Sequence, residues 1–129
     1  MSTKISATFE VANWHEKPFD ERAGAAKLTN AHVTKTYSGG IEGNSVTEWL
    51  MAYADDGTAT FVGIERIEGS IGGRRGTLVL RHVGTYAADA AKAELVALAG
   101  CGSGDLSGVG GTGTFLADPS GKVGLDLDS

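Results

Sequence analysis

The chain has 129 residues, 20 of them glycine and two proline, with 41% hydrophobic residues and a formal net charge of −5. That length predicts one domain over residues 1–129, and the negative charge leaves no basic stripe for a phosphate backbone, which excludes nucleic acid as a partner. The lone Cys101 cannot form an internal disulfide, no leader-like run opens the chain, and no stretch approaches the ~18 apolar residues of a membrane helix, so a cytoplasmic protein without a membrane partner is expected.

In chain order, residues 4–14 read as a strand, because Ile5, Ala7, Phe9 and Val11 alternate with Ser6, Thr8 and Glu10. Residues 15–29 are polar and contain Pro18 and Gly24, which predicts a long loop across a barrel end. A strand meander follows over residues 31–38, 45–54 and 58–68. The second and third of these are joined by Asp55-Asp56-Gly57, a sequence suited to the primed turns that match strand twist. Residues 76–87 form the next predicted strand. Over residues 88–99 the alanines and Leu95 favour helix by propensity, but the segment lies between strands and a barrel needs that edge filled, so strand is preferred. Residues 113–117 and 122–127 close the sheet through a turn at Asp118-Pro119-Ser120-Gly121.

Three segments share the pattern Gly-x-Ile/Leu-x-Gly: Gly39 to Gly43, Gly69 to Gly73 and Gly104 to Gly108. Glycine is about twice its ordinary usage of ~7%, and its tolerance of positive φ suits hairpin turns and barrel corners. Arg74-Arg75, the adjacent basic pair, sits in such a turn and reads as solvated rather than as an anion site.

Several runs carry a resemblance when taken in order: Trp14-His15-Glu16-Lys17-Pro18, Leu50-Met51-Ala52-Tyr53, Asp56-Gly57-Thr58-Ala59, Phe61-Val62-Gly63-Ile64-Glu65, Leu80-Arg81-His82-Val83-Gly84-Thr85 and Gly102-Ser103-Gly104-Asp105-Leu106. Over roughly residues 4–128 the chain resembles a bacterial domain-of-unknown-function family with an allene-oxide-cyclase-like barrel. The resemblance implies an all-β fold, a small antiparallel barrel of about eight strands (allene-oxide-cyclase-like or calycin-like), often oligomeric. It implies no settled activity. More distant barrels of plant cyclases and dirigent proteins bind apolar substrates inside and steer ring closure or coupling, which is analogy of fold alone.

The candidate chemistry is acid–base. Leu78, Leu80, His82, Gly84 and Tyr86 share a strand face, assigned to the interior because the opposite face carries Arg81. An interior imidazole titrates near neutrality and suits proton transfer; the structural alternative is a core histidine bonded to a neighbour. Glu65 shares a face with Phe61, Gly63 and Ile67; if that face is interior, desolvation should raise its pKa and make it a general base. Val62 and Ile64 leave the register open, and a rim carboxylate or a structural partner of His82 is the alternative. Glu48 and Trp49 cannot both line the cavity. Inward, Glu48 joins Glu65 and His82 as a third catalytic candidate; alternatively Trp49 and Tyr53 point inward as an apolar wall. Trp49, Met51 and Tyr53 facing outward would instead mark an oligomer interface. Trp14, at a strand end before the long loop, either caps a barrel mouth or is a plain plug, and Trp14, Trp49, Tyr53, Phe61 and Leu80 are the ligand-wall candidates.

Gly108-Val109-Gly110-Gly111-Thr112-Gly113 matches G-x-G-x-x-G, but no helix and no suitably spaced acid follow, so a dinucleotide site is rejected. His15, His32, His82 and Cys101 lack ligand spacing, so no metal is expected. The reading that results is a barrel for a small apolar or aromatic molecule, homo-oligomeric and cofactor-free. It either catalyses isomerisation, cyclisation or elimination through Glu65 and His82, carries a ligand unchanged, or serves as a structural module with a filled interior.

Overall fold

Alternation of apolar and polar residues runs through nearly the whole chain, and it builds strands almost throughout. The computed structural model describes residues 2–118 and 120–128. Its elements are β1 (Ser2–Asp20), β2 (Lys27–Gly39), β3 (Ile41–Tyr53), β4 (Ala59–Ile71), β5 (Arg74–Ala87), β6 (Ala90–Ala97), β7 (Ser103–Gly104), β8 (Gly111–Ala117) and β9 (Gly121–Asp128). The sheet order is β4-β3-β2-β1-β9-β8-β6-β5, and β4 also pairs with β5, which closes eight antiparallel strands into a barrel. The two-residue β7 attaches to Gly76 and Thr77 of β5, outside that ring. The expected small antiparallel barrel of about eight strands is present. No helix among the described residues is long and apolar enough to cross a membrane.

The glycine repeats build one end of the barrel. Gly43 pairs with Gly69 and Ile41 with Ile71 across β3 and β4, while Gly76 pairs with Gly104 across β5 and β7. A Cβ at Gly43 would collide with the Glu68 carbonyl oxygen, and one at Gly69 with that of Glu42, so the pair admits no side chain. The central residues of the repeats, Ile41, Ile71 and Leu106, are fully buried and plug this end. Each such burial contributes about 1.5–3 kcal/mol.

Two readings from sequence change. Residues 15–29 are not a long loop: β1 runs to Asp20, β2 starts at Lys27, and Asp20 pairs with Leu28. Pairing with β9 stops at Phe9–Gly121, so residues 10–20 of β1 have β2 as their one neighbour. On such an edge a proline such as Pro18 is tolerated, and the bulges at Val11/Asn13 and Pro18/Asp20 bend the strand. Residues 90–97 are strand, as preferred. Ala88 (φ 54°) and Asp89 (φ 61°) make a left-handed two-residue turn, and pairing of β6 with β5 and β8 overrides the alanines' helical propensity. The turn at 118–121 includes Pro119, which lies outside the described residues.

Candidate functional site

The inner face of β2 reads Ala31, Val33, Lys35, Tyr37; that of β3, Ser45, Thr47, Trp49, Met51; that of β4, Phe61, Glu65, Ile67; that of β5, Leu78, Leu80, His82. Register places Glu65 beside Thr47 on one side and Leu80 on the other, and His82 beside Gly63. Gly63 is required there: a Cβ would collide with the Glu48 carbonyl oxygen and with Trp49 Cδ1. The result is a polar cluster at mid-barrel, with Lys35 and Glu65 side chains 1% exposed and His82 0%.

Every atom of the carboxylate is engaged. Tyr37 Oη donates to Glu65 Oε2 at 2.7 Å and Ser45 Oγ to the same oxygen at 2.5 Å. His82 Nε2 lies 2.8 Å from Oε1. Trp49 Nε1 donates to His82 Nδ1 at 3.3 Å. An indole N–H can only donate, so Nδ1 is an acceptor and the proton of a neutral imidazole sits on Nε2, pointing at Glu65. Burial pushes the Glu65 carboxyl up, as expected from sequence, but the Lys35 charge, the His82 hydrogen bond and charge, and the Ser45 hydroxyl outweigh it and hold it at about 2. Glu65 is therefore an ionised, fully hydrogen-bonded carboxylate, not a base with a raised pKa. Burial lowers His82 against the opposing pull of Glu65, lowers Lys35 against the same pull, and raises Tyr37 well above the phenol range, with Glu65 adding to the rise.

Lys35 is the odd member. Its Nζ lies 3.6 Å from Glu65 Oε2, outside hydrogen-bond reach, and has no acceptor among the described residues. It sits instead among three rings, with centroids at 4.6 Å (Phe9), 5.2 Å (Trp49) and 5.1 Å (Phe115). Desolvated cation–π contacts are worth about 2 kcal/mol, yet they leave its N–H donors unpaired.

Toward the other end of the barrel, Trp49 meets Trp14 edge-on at 5.5 Å, and Trp14 is 44% exposed. Trp14 Nε1 donates to Glu16 Oε1 at 3.1 Å; Glu16 Oε2 accepts from Thr29 Oγ1 at 2.7 Å and from Tyr53 Oη. Lys27 Nζ stands 5.0 Å over the Tyr53 ring. Burial, then the Glu16 hydrogen bond, pushes Tyr53 up to about 12. Burial pushes Glu16 up, but Tyr53, Thr29 and Trp14 hydrogen bonds and the Lys27 charge bring it below its usual value. This end is thus aromatic and polar where the glycine end is aliphatic.

The structure brings Glu65, His82, Trp49, Phe61 and Leu80 together inside the barrel, with Trp14 and Tyr53 at the polar end. Glu48 does not join them. Its side chain is 51% exposed on the outer face of β3, bonded to His32 and to Asn30 Nδ2 at 3.1 Å, because period two turns it away once Trp49 faces in. The His32 hydrogen bond lowers its pKa. With Trp49 and Met51 buried, that face cannot form an oligomer interface; the large apolar residues exposed among the described residues are Val11, Trp14, Phe19, Val46, Leu50, Val62, Ile64, Val83 and Tyr86. Around the cluster the interior is closely filled, since Lys35 and Glu65 are 1% exposed and Thr47, Leu80 and His82 0%. Clefts of about 200 to 630 Å³ on the surface are lined by other residues. The rejected glycine fingerprint covers a turn and the first residues of β8, and the next element is the strand β9 rather than a helix. Among the described residues no three His, Cys, Asp or Glu side chains group as a metal site.

Sequence reasoning missed Lys35, Tyr37, Ser45, Phe115 and Glu16. For Lys35 and Tyr37 the signal was present: they continue the apolar face of Ala31 and Val33, opposite Asn30, His32, Thr34 and Thr36.

The chain is similar over 99% of its length, and 98% of the other's, to a protein of unknown function from the DUF3224 family of Shewanella oneidensis MR-1, with 27% identity and a TM-score of 0.84. No curated protein matches. Residues 5–128 match the family described as proteins of unknown function, DUF3224, so the resemblance read from the sequence holds at the level of family and barrel, and the chain belongs to the DUF3224 family.

Proposed function

We propose that the chain binds a small, largely apolar or aromatic molecule inside the barrel, at the Lys35–Glu65–His82 cluster, and releases it unchanged. One observation carries this reading: three ionisable side chains are wholly buried next to an indole pair that leads to the polar end. Replacing a buried ion pair by packed apolar residues is often neutral or stabilising, so stability does not account for keeping one here, and perturbed titratable groups concentrate at functional sites. Trp49, Phe61 and Leu80 are the apolar walls, and Trp14 and Tyr53 the entrance. Because the interior is packed, entry requires Trp14 and Trp49 to turn outward. These are the chain's two tryptophans, so intrinsic fluorescence reads the site directly. Native mass spectrometry of the purified protein, with fluorescence titrations by indole and naphthalene, tests the reading. A retained small molecule or a saturable change supports it; neither, up to millimolar probe, overturns it.

Proton transfer is the second reading, favoured by the hydrogen-bonded line Trp49–His82–Glu65–Tyr37. A carboxyl held at about 2 is a weak base, so turnover would require Lys35 to withdraw from Glu65. If a substrate is found, Glu65→Gln separates the two readings: a carrier keeps binding, an enzyme stops turning over. Neither reading uses a cofactor.

The outer face of β3, β4 and β5 suits a second copy of this chain. Leu50, Val62 and Val83 lie side by side, and in the next row Ile64 stands between Glu48 and Arg81. A two-fold axis at Ile64 places Glu48 of each copy against Arg81 of the other, the self-complementarity that an isologous dimer needs. Light scattering should give a dimer that Ile64→Glu converts to monomer; a monomeric wild-type protein at about 100 μM refutes this.

A further inference from the structure

We infer that Lys35 anchors a carbonyl oxygen, and that the molecule held in the barrel is a neutral, planar carbonyl compound; this rests on the interior site proposed above. The polar atoms around Lys35 satisfy one another. Glu65 Oε2 receives Tyr37 and Ser45, Oε1 faces His82 Nε2, and His82 Nδ1 receives Trp49. Two buried donors are left over: the Lys35 ammonium and the hydroxyl of Thr47, which is the β3 neighbour of Glu65 in register. Both can donate, and the ammonium can do nothing else. A buried donor without a partner is costly, and an acceptor oxygen brought by a ligand supplies what the protein withholds.

Charge decides which oxygen. Lys35 and Glu65 cancel, and burial disfavours the charged form of His82. A neutral carbonyl leaves the sum at zero. A carboxylate would set two negative charges against one ammonium in a space closed to water, where like charges repel far more than in solvent. Shape decides the rest of the molecule. Phe9, Trp49 and Phe115 surround Nζ, and Phe61 and Phe115 stack with an interplanar angle of 15°, so the body that replaces a rotated Trp49 ring is flat.

The test uses three probes of nearly one shape: acetophenone, its olefin isostere α-methylstyrene, and benzoate. Binding is read from the two tryptophan indole N–H signals in 15N-edited NMR of the whole chain. Acetophenone should bind at least tenfold more tightly than either of the others. In the Lys35→Met/Glu65→Gln double variant, which leaves no buried charge, acetophenone and α-methylstyrene should bind alike. If acetophenone and α-methylstyrene bind wild type equally, the role of Lys35 is overturned and the interior site stands. If benzoate binds most tightly, the carbonyl class is overturned in favour of anions. If none of the three moves either indole signal, this inference falls; the interior site itself is judged by the indole and naphthalene titrations and the native mass.

Discussion

Lys35→Met removes half of a buried ion pair while keeping the side chain's length and apolar stem. The charges lie 3.6 Å apart, which at an effective dielectric constant of ~20 is about 5 kcal/mol of attraction. Breaking such a pair from one side costs about 3–5 kcal/mol, because an uncompensated charge stays buried. The pH linkage gives a similar figure: holding Glu65 at about 2 rather than 4.5 corresponds to roughly 3 kcal/mol. The sign follows from the lowered value. The stabilisation from ionised Glu65 is full above pH 4.5 and is lost as pH falls toward 2. Without Lys35 the carboxyl rises and takes up its proton at higher pH, so the damage shrinks on acidification. Urea unfolding followed by tryptophan fluorescence should show a loss of about 3–5 kcal/mol at pH 7.5 and a clearly smaller loss at pH 4.5. The double variant Lys35→Met/Glu65→Gln should be more stable than the single one. A single variant within about 1 kcal/mol of wild type, or a loss independent of pH, would refute the assignment of Lys35 and Glu65 as a charged pair.

Three further outcomes are checkable. His82 should be mainly neutral at pH 6.5, because burial lowers it; a ring-carbon NMR signal half-shifted at that pH contradicts the geometry, and Trp49→Phe should release Nδ1 and change the ring-nitrogen signals. Gly63→Ala, which drives a Cβ into the β3 backbone, should cost about 1–3 kcal/mol or more, whereas Gly100→Ala, with nothing within 4 Å, should change stability by less than about 1 kcal/mol; equal effects would mean the strand spacing at Trp49 is not tight. Glu48→Gln should leave probe binding intact, because its side chain lies on the outer face of β3 bonded to His32; weakened binding would return Glu48 to the site.

The strands and hairpins were legible in the sequence because period-two alternation and turn chemistry are local signals; their number and closure into a barrel of about eight strands came from the family resemblance. Asp55-Asp56-Gly57, the Gly69 to Gly73 repeat and the alternating strand of His82 each announced themselves. The extension of β1 was not legible: Trp14 to Asp20 is polar and carries Pro18, and what makes it strand is its pairing with residues 28–33 of β2, a contact no local window contains. The site was half legible. Glu65 and His82 stood out as ionisable residues on apolar faces. Lys35 met the same criterion and was passed over, although its burial reverses the chemistry assigned to Glu65. The direction of a buried carboxylate's pKa depends on which charge lies opposite, and that is fixed by barrel closure, which brings β2 and β4 to either side of one space.

Closure also makes the two ends of the barrel unlike, and that difference governs access. At the glycine end, strands approach so closely that no side chain fits between Gly43 and Gly69, and Ile41, Ile71 and Leu106 fill the bore. Opening it would separate paired strands. At the other end the obstruction is side chains alone: Trp14 on the one-sided part of β1, tied to Glu16, and Trp49 beneath it. Side-chain rotation is far cheaper than strand separation, so the route to Lys35 runs past the two indoles. Glu16 is then the latch on that route. Glu16→Ala removes the acceptor shared by Trp14, Thr29 and Tyr53, and it should speed both entry and exit of a bound probe with little change in affinity, since its hydrogen bonds go to these three residues and not to Lys35, Glu65 or His82. Stopped-flow fluorescence separates these rates. A change in affinity at unaltered rates would place Glu16 inside the site rather than at its door.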